Sequence, residues 1–127
     1  MVKVIEENIT KKHSELLINI VDSKVLKEIV NFYEWIYLEK GLSKNTLKSY
    51  SNDITIFLIF LSEHIGKKIS KKELNILNVS NLRSFLAKRK SDGTNSSSIA
   101  RSISSIKGLF KFLNKRKVIK NTQVFAL

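Results

Sequence analysis

The stretch from Gly41 to Leu61 constrains the fold more than any other part of the sequence. Its apolar residues recur every three or four positions, which is the period of one helix face. The opposite face is polar in its first half and apolar in its second half, at Ile56, Ile59 and Phe60. We predict a helix capped by Ser43, with a buried C-terminal half and small polar and basic groups facing outward near its start. An ordinary core helix with one polar end is the alternative. The apolar face consists of Leu47, Tyr50, Ile54, Phe57, Leu58 and Leu61.

Three further stretches have helical spacing. One follows a cap at Asp22 or Ser23 and ends near Lys40, one runs from Asn81 to Arg89, and one runs from the cluster Asn95–Ser98 to about Asn114. The sequence contains no proline and 4 glycines, which favours helices over a turn-rich β fold. We therefore predict a single all-α domain of four helices over residues 22–116. Residues 1–21 are predicted to be a partly mobile lead-in, with at most a helical turn in 14–21.

Charge indicates the class of partner. The net charge is +12, and residues 1–22 hold three Lys against four acidic residues, so residues 23–127 carry +13. A small domain this basic indicates a polyanion, which means DNA, RNA or an anionic membrane surface. Simple solubility is the alternative. Of the 23 cations only four are Arg, the residue that can form planar bidentate contacts with bases.

Other kinds of site are not indicated. The sequence has no Cys, which excludes disulfides and thiolate metal sites and suits a reducing cytoplasm. His13 and His64 are isolated, and no catalytic triad or pair of carboxylates is recognisable. No apolar run approaches the roughly 18 residues of a membrane helix, and the first residues do not have the pattern of a signal peptide. We predict no metal, no cofactor, no catalytic residue and no membrane partner for this chain.

The last helix has an unusual polar face. Its inward stripe is predicted to be Ile99, Ile103, Ile106, Phe110 and Leu113. Ser and Gly are poor helix formers, so a face made of them gives up local stability. Such a smooth face can lie in a groove of DNA, where hydroxyls and one Arg reach phosphates and base edges. Close packing against another helix is the alternative, and Arg101 favours DNA. The predicted outward face consists of Ser97, Arg101, Ser104, Ser105, Gly108 and Lys111.

Three segments together resemble a known family. They are Gly41–Ile54 (GLSKNTLKSYSNDI), Val79–Ala87 (VSNLRSFLA) and Ser97–Leu113 (SSIARSISSIKGLFKFL). They are similar to the N-terminal core-binding, or SAM-like, domain of the Xer-type tyrosine recombinases within the phage-integrase family. The likeness extends from about Ser14 to the C-terminus, and Glu63–Gly66 looks most like the XerC branch.

The resemblance implies a four-helix orthogonal bundle that clamps a recombination half-site with its second and fourth helices. The parent protein would cut and rejoin DNA through a phosphotyrosine bond and resolve chromosome dimers. Its catalytic domain would lie beyond residues 117–127, which we interpret as the start of a linker, and Tyr33, Tyr37 and Tyr50 do not match the family's nucleophile. Double-stranded DNA, a second recombinase subunit and a nucleoid-associated location are implied, with the isolated chain a monomer. The implied DNA-binding residues are Ser43, Thr46, Lys48, Ser49, Asn52, Ser97, Ser98, Arg101 and Ser105.

The sequence also departs from the family pattern. Asn121-Thr122 stands where Asn-Pro is common, so we expect a less rigid linker, and Lys107-Gly108 stands where Arg and Ser are common. A helical module that docks on an acidic protein and an RNA-binding bundle are the alternative functions.

Overall fold

The computed structural model describes the backbone of residues 11–127 and the side chains from Glu15 onward. Within these residues there is no β-strand, only an isolated parallel bridge between Val21 and Ile69. The predicted all-α class is therefore confirmed. The first ten residues of the predicted lead-in lie outside the described residues. The helices are α1 (Lys11–Ile20), α2 (Ser23–Leu38), α3 (Lys44–Ile65), α4 (Lys71–Ile76), α5 (Val79–Ser91), α6 (Ser96–Lys115) and a 3-10 helix (Gln123–Ala126).

Six α-helices are described where four were predicted. Helix α1 corresponds to the segment for which only a helical turn was expected. Helix α4 has six residues and begins with two cations, Lys71 and Lys72, and no helix was predicted there. The four predicted helices correspond to α2, α3, α5 and α6, with ends displaced by one or two residues.

The chain divides into two compact units, residues 1–70 and residues 71–127. In the first unit, α1 and α2 both pack on α3. Asp22 caps α2 by accepting a hydrogen bond from the Val25 N–H at 2.8 Å. The chain after α3 returns to the start of α2, because the Ile69 N–H donates to the Ile20 carbonyl and the Asp22 N–H donates to the Ile69 carbonyl. The largest buried side chains of this unit include Phe32, Tyr33, Phe57, Ile29, Ile36, Leu58 and Leu61.

The second unit contains α4, α5, α6 and the 3-10 helix. A capping box at Asn78 and Asn81 starts α5, and the Asn95 side chain starts α6 by accepting from the Ser98 N–H at 2.9 Å. The 3-10 helix packs on both α5 and α6. The buried apolar side chains of this unit include Leu82, Phe85, Ile106, Leu109, Phe110, Leu113, Ile119 and Val124.

Residues 117–127, interpreted above as the start of a linker, are packed in this unit. Asn121 and Val124 are buried, and Asn121 donates two hydrogen bonds of 2.8 Å to the carbonyls of Leu74 and Leu77. The expectation that the segment around Asn121-Thr122 is loosely held is therefore wrong. The family's proline would restrict the backbone at this point, and in this chain the hydrogen bonds of the Asn121 side chain restrict it instead. The predicted limit between core and linker at residue 116 stays a prediction.

Candidate nucleic-acid interface

Five of the predicted DNA-binding residues lie in the first three turns of α3 and its cap. The Ser43 hydroxyl accepts from the Thr46 N–H at 3.1 Å and lies 3.0 Å from the Thr46 hydroxyl. Ser43 and Lys48 are exposed, while Thr46, Ser49 and Asn52 are half-exposed. All five side chains therefore have surface available to a ligand, and the cap fixes the conformation of the first two.

The buried side of the same helix explains why this face points outward. Leu47, Ser51, Asp53 and Ile54 alternate with the predicted contacts and are buried. The Ser51 hydroxyl donates to the Lys48 carbonyl at 3.0 Å, so it is satisfied within the helix. The second half of α3 buries Phe57, Leu58 and Leu61, as the helical period predicted. These large apolar side chains anchor the helix, so its polar start is held in a defined orientation within the first unit.

Asp53 is a buried carboxylate on the inner side of α3, and Tyr33 of α2 faces it. Burial is the larger cause, and the negative charge of Asp53 the smaller cause, that raise the pKa of the Tyr33 hydroxyl far above its usual range. That hydroxyl has no hydrogen-bond partner among the described residues. Tyr33 thus belongs to the core of the first unit, which supports the interpretation that it is not a nucleophile.

On α6 the exposed polar stripe consists of Ser97, Arg101, Ser104 and Lys111, and Ser98 is half-exposed. These positions are three, four or seven residues apart, so they share one face. Arg101 is exposed and shares this face with small hydroxyl-bearing residues, and its role as a DNA contact stays a prediction.

Ser105 is the exception among the predicted site residues. Its exposed fraction is 0%, so the prediction that it faces outward is wrong. The physical reason is its position on the helix: Ser102, Ser105, Leu109 and Phe112 are three or four residues apart and are all buried. The Ser102 hydroxyl donates to the Ser98 carbonyl at 3.0 Å. Here Ser serves close packing, the alternative that the sequence had left open.

Lys107 is also engaged within the chain. Its ammonium group donates to the Leu127 carbonyl at 2.7 Å and is partly buried. Lys107, which stands where the family commonly has Arg, thus links the C-terminal segment to α6 through this hydrogen bond.

Electrostatics differ sharply between the two units. Residues 71–127 hold 13 Lys and Arg against two acidic residues, a net charge of +11, whereas residues 1–70 hold 10 against 9, a net charge of +1. No Asp or Glu follows Asp92 in the sequence. This asymmetry cannot be read from the sequence alone, because the boundary between the units is a tertiary property. The second unit is therefore the one that attracts a polyanion most strongly.

The described residues offer neither a cluster of metal ligands nor a helix suited to a membrane. No group of three His, Asp or Glu residues there could hold a metal ion. None of the helices described is both long enough and apolar enough to cross a membrane.

Comparison with known proteins shows the family of the chain. Residues 29–117 match the phage integrase, N-terminal SAM-like domain. The chain is 35% identical over 107 residues to the tyrosine recombinase XerC of Rickettsia bellii (strain OSU 85-389), covering 84% of this chain and 35% of that protein. It is 40% identical over 89 residues to the tyrosine recombinase XerC of Brucella suis biovar 1 (strain 1330), covering 68% of this chain and 28% of that protein.

The chain thus spans about a third of the length of these curated relatives. No solved structure gives a significant match. The family match covers well over half of the chain and agrees with the three segments identified in the sequence. The chain therefore belongs to the family of phage integrase N-terminal SAM-like domains.

Proposed function

We propose that this chain is the DNA-binding domain of a Xer-type tyrosine recombinase and that it binds one half-site of a recombination sequence. The observation that carries the proposal is the exposed face of α6, where Arg101 and Lys111 flank small polar residues. This face lies in a unit with a net charge of +11 and in a chain of the integrase SAM-like family. Helices α3 and α6 are the proposed contact helices, corresponding to the second and fourth of the predicted bundle.

The proposed contacts are Ser43, Thr46, Lys48, Ser49 and Asn52 on α3, together with Ser97, Ser98 and Arg101 on α6. Ser105 is left out because it is buried. Hydroxyl and amide groups donate to phosphate oxygens and base edges, Lys48 neutralises a phosphate, and Arg101 can bind guanine through two parallel hydrogen bonds.

The activity of the parent protein follows as part of the proposal. The relatives carry the name tyrosine recombinase, and a further domain would supply the nucleophile and the cleavage of DNA. Chromosome dimer resolution, a second recombinase subunit on DNA and association with the nucleoid belong to the same proposal. The chain alone should form no covalent product with supercoiled plasmid or with a nicked suicide substrate. A covalent adduct at Tyr33, Tyr37 or Tyr50 would contradict this assignment.

The test compares two variants on cognate and random duplexes. Arg101→Ala should cost about 1–3 kcal/mol of binding free energy on a cognate half-site and less on random duplex, because a base contact is lost. Lys48→Ala should weaken binding to both duplexes about equally and lower the slope of log K against log salt by about 1, because one phosphate contact is lost.

Matched controls remove the same charge from exposed positions outside the proposed face, Arg83→Ala on α5 and Lys27→Ala on α2. Thermal melts must show that all four variants are folded. If Arg101→Ala melts early while its affinity per folded molecule is unchanged, the α6 face is a packing surface. If the wild-type chain prefers an acidic protein or RNA to duplex DNA, one of the alternative functions is correct.

A further inference from the structure

A depression at the C-terminal end of α6 lies outside all the residues proposed above. Its volume is about 680 Å³, and it is lined by Asn75, Asn114 and residues 117–120. The ammonium groups of Lys117 and Lys120 are on exposed side chains at its rim. Neither side chain has an ion pair or hydrogen bond with another residue in the described part of the chain. Two cations are therefore available to a ligand at one concave site.

The backbone beneath these cations is held in place by side-chain amides. Asn114 donates to the carbonyls of Phe110 and Asn121 at 2.7 and 2.8 Å, and its side-chain oxygen accepts from the Asn121 N–H at 2.9 Å. The Asn75 side-chain oxygen accepts from the Lys120 N–H at 2.8 Å. The Asn75 amide N–H₂ group then remains as a neutral donor at the same site. The depression is therefore preorganised and does not need ligand to order it.

The backbone at Lys117 adds a second, independent observation. Its φ of 60° makes it the one non-glycine residue with positive φ among residues 11–127. The Val118 N–H donates to the Leu113 carbonyl and the Lys117 N–H donates to the Asn114 carbonyl, both at 3.0 Å, which is the Schellman ending of a helix. Glycine is the usual residue at this left-handed position, because any Cβ is strained there. A lysine at this strained position supports a use for its side chain beyond ending the helix.

The surrounding charge favours an anion. Lys115 and Arg116 precede Lys117, and Arg116 lies over the Phe112 ring at 5.3 Å. Helix α4, which contributes Asn75 to the lining, contains one acidic residue, Glu73, which is buried and has a partner within the chain. A rival explanation exists: cations near a helix C-terminus are also favoured by the helix dipole. The two explanations differ in what a glycine at position 117 should do.

We infer that this depression is a binding site for a backbone phosphate of duplex DNA, held by Lys117, Lys120 and the Asn75 amide. The inference rests on the proposed DNA-binding function and adds a contact at the end of α6 opposite to Ser97 and Ser98. It makes the segment after α6 part of the binding surface.

The test uses Lys117→Gly, which removes the cation and relieves the backbone strain at once. The melting temperature should rise by about 3–6 °C, because glycine is unstrained at positive φ. The affinity for duplex DNA should nevertheless fall, and the slope of log K against log salt should decrease by about 1. Adding Lys120→Gln should decrease the slope by about 2 in total. A purely structural role through the helix dipole predicts instead that the affinity and the salt slope of Lys117→Gly stay those of the wild type, because no phosphate contact is lost.

The matched control is Lys24→Gln with Lys27→Gln, which removes two exposed cations of α2. A titration with inorganic phosphate, followed through the amide signals of Asn75 and Lys120, separates affinity for free phosphate from affinity for DNA. If wild-type chain binds duplex and the Lys117→Gly, Lys120→Gln variant has the same slope as the wild type, the inference is overturned and the proposed function stands. If these variants lose no more affinity for duplex DNA than the α2 control loses, the effect is one of net charge alone and the inference is again overturned. If wild-type chain does not bind duplex at all, both are overturned.

Discussion

Asn121 provides the sharpest test of how the C-terminal segment is held. The residue is 6% exposed, and its side chain makes three hydrogen bonds: the amide donates to the Leu74 and Leu77 carbonyls, and the oxygen accepts from the Gln123 N–H. Each such bond contributes about 1 kcal/mol, and leaving buried carbonyls unpaired costs at least as much. Asn121→Ala should therefore lower the free energy of unfolding by about 3 kcal/mol. For a domain of this size, with a stability of about 5–15 kcal/mol, that is a substantial fraction.

Asn121→Asp is the stricter variant, because it changes only the chemistry of the two donor bonds. At pH 7 it sets a carboxylate oxygen against two carbonyl oxygens, so it should destabilise the chain by more than the alanine variant. Burial raises the pKa of the new carboxyl group, and its protonated form can donate one hydrogen bond. The loss should therefore become smaller as the pH falls from 7 toward about 3.9, the ordinary pKa of Asp.

Urea denaturation at pH 7 and at pH 4.5 measures both effects. Thr122→Asp is the control, since it introduces the same charge at the exposed neighbouring position and should change stability by about 0.5 kcal/mol or less. The reasoning is refuted if Asn121→Asp unfolds at the same urea concentration as Thr122→Asp at pH 7. A loss that does not depend on pH would show that the cost has another origin.

Two further predictions concern the core of the first unit. Phe57→Ala should lower the free energy of unfolding by about 3–5 kcal/mol, because the ring is fully buried, and chemical denaturation measures this loss directly. Tyr33→Phe should be close to neutral at pH 7, because the buried hydroxyl has no partner among the described residues. Burial, followed by the charge of Asp53, raises the pKa of Tyr33 above its usual 10.0, so the wild type loses stability as the pH rises above about 10. The unfolded chain releases that proton and the folded chain keeps it. The Phe variant should therefore lose less stability between pH 9 and pH 11, and equal losses in both proteins would contradict this account.

The helices with long apolar periods were predictable, and so were their starts. Asp22, Ser43 and Asn95 each accept from a backbone N–H three residues on, as their residue types indicated. Local chemistry decides such positions, because a cap needs only its own first turn. Helix α4 was missed for the opposite reason: its six residues, KKELNI, begin with two cations and are too short to show a period.

The candidate site was only partly predictable. Ser105 and Arg101 lie on the same helix and both are polar, but only Arg101 is exposed. Serine is small enough to be buried at a close helix contact, so its residue type does not tell which way it faces. The burial of Ile119 and Asn121 depends on α4, whose position relative to the C-terminal segment cannot be read from the local pattern.

The uneven charge of the two units indicates that they contribute differently to the affinity for DNA and to sequence preference. Salt-dependent affinity grows with the number of phosphates that Lys and Arg neutralise, and the second unit carries a net charge of +11 against +1 for the first. We therefore expect most of the salt slope to come from residues 71–127. On α3 the proposed contacts other than Lys48 are uncharged, so they add directional hydrogen bonds more than attraction. A neutral hydrogen bond is sensitive to geometry and insensitive to salt. Sequence preference that persists at high salt should therefore depend on α3 and on Arg101. Binding at low salt should depend on the lysines of the second unit.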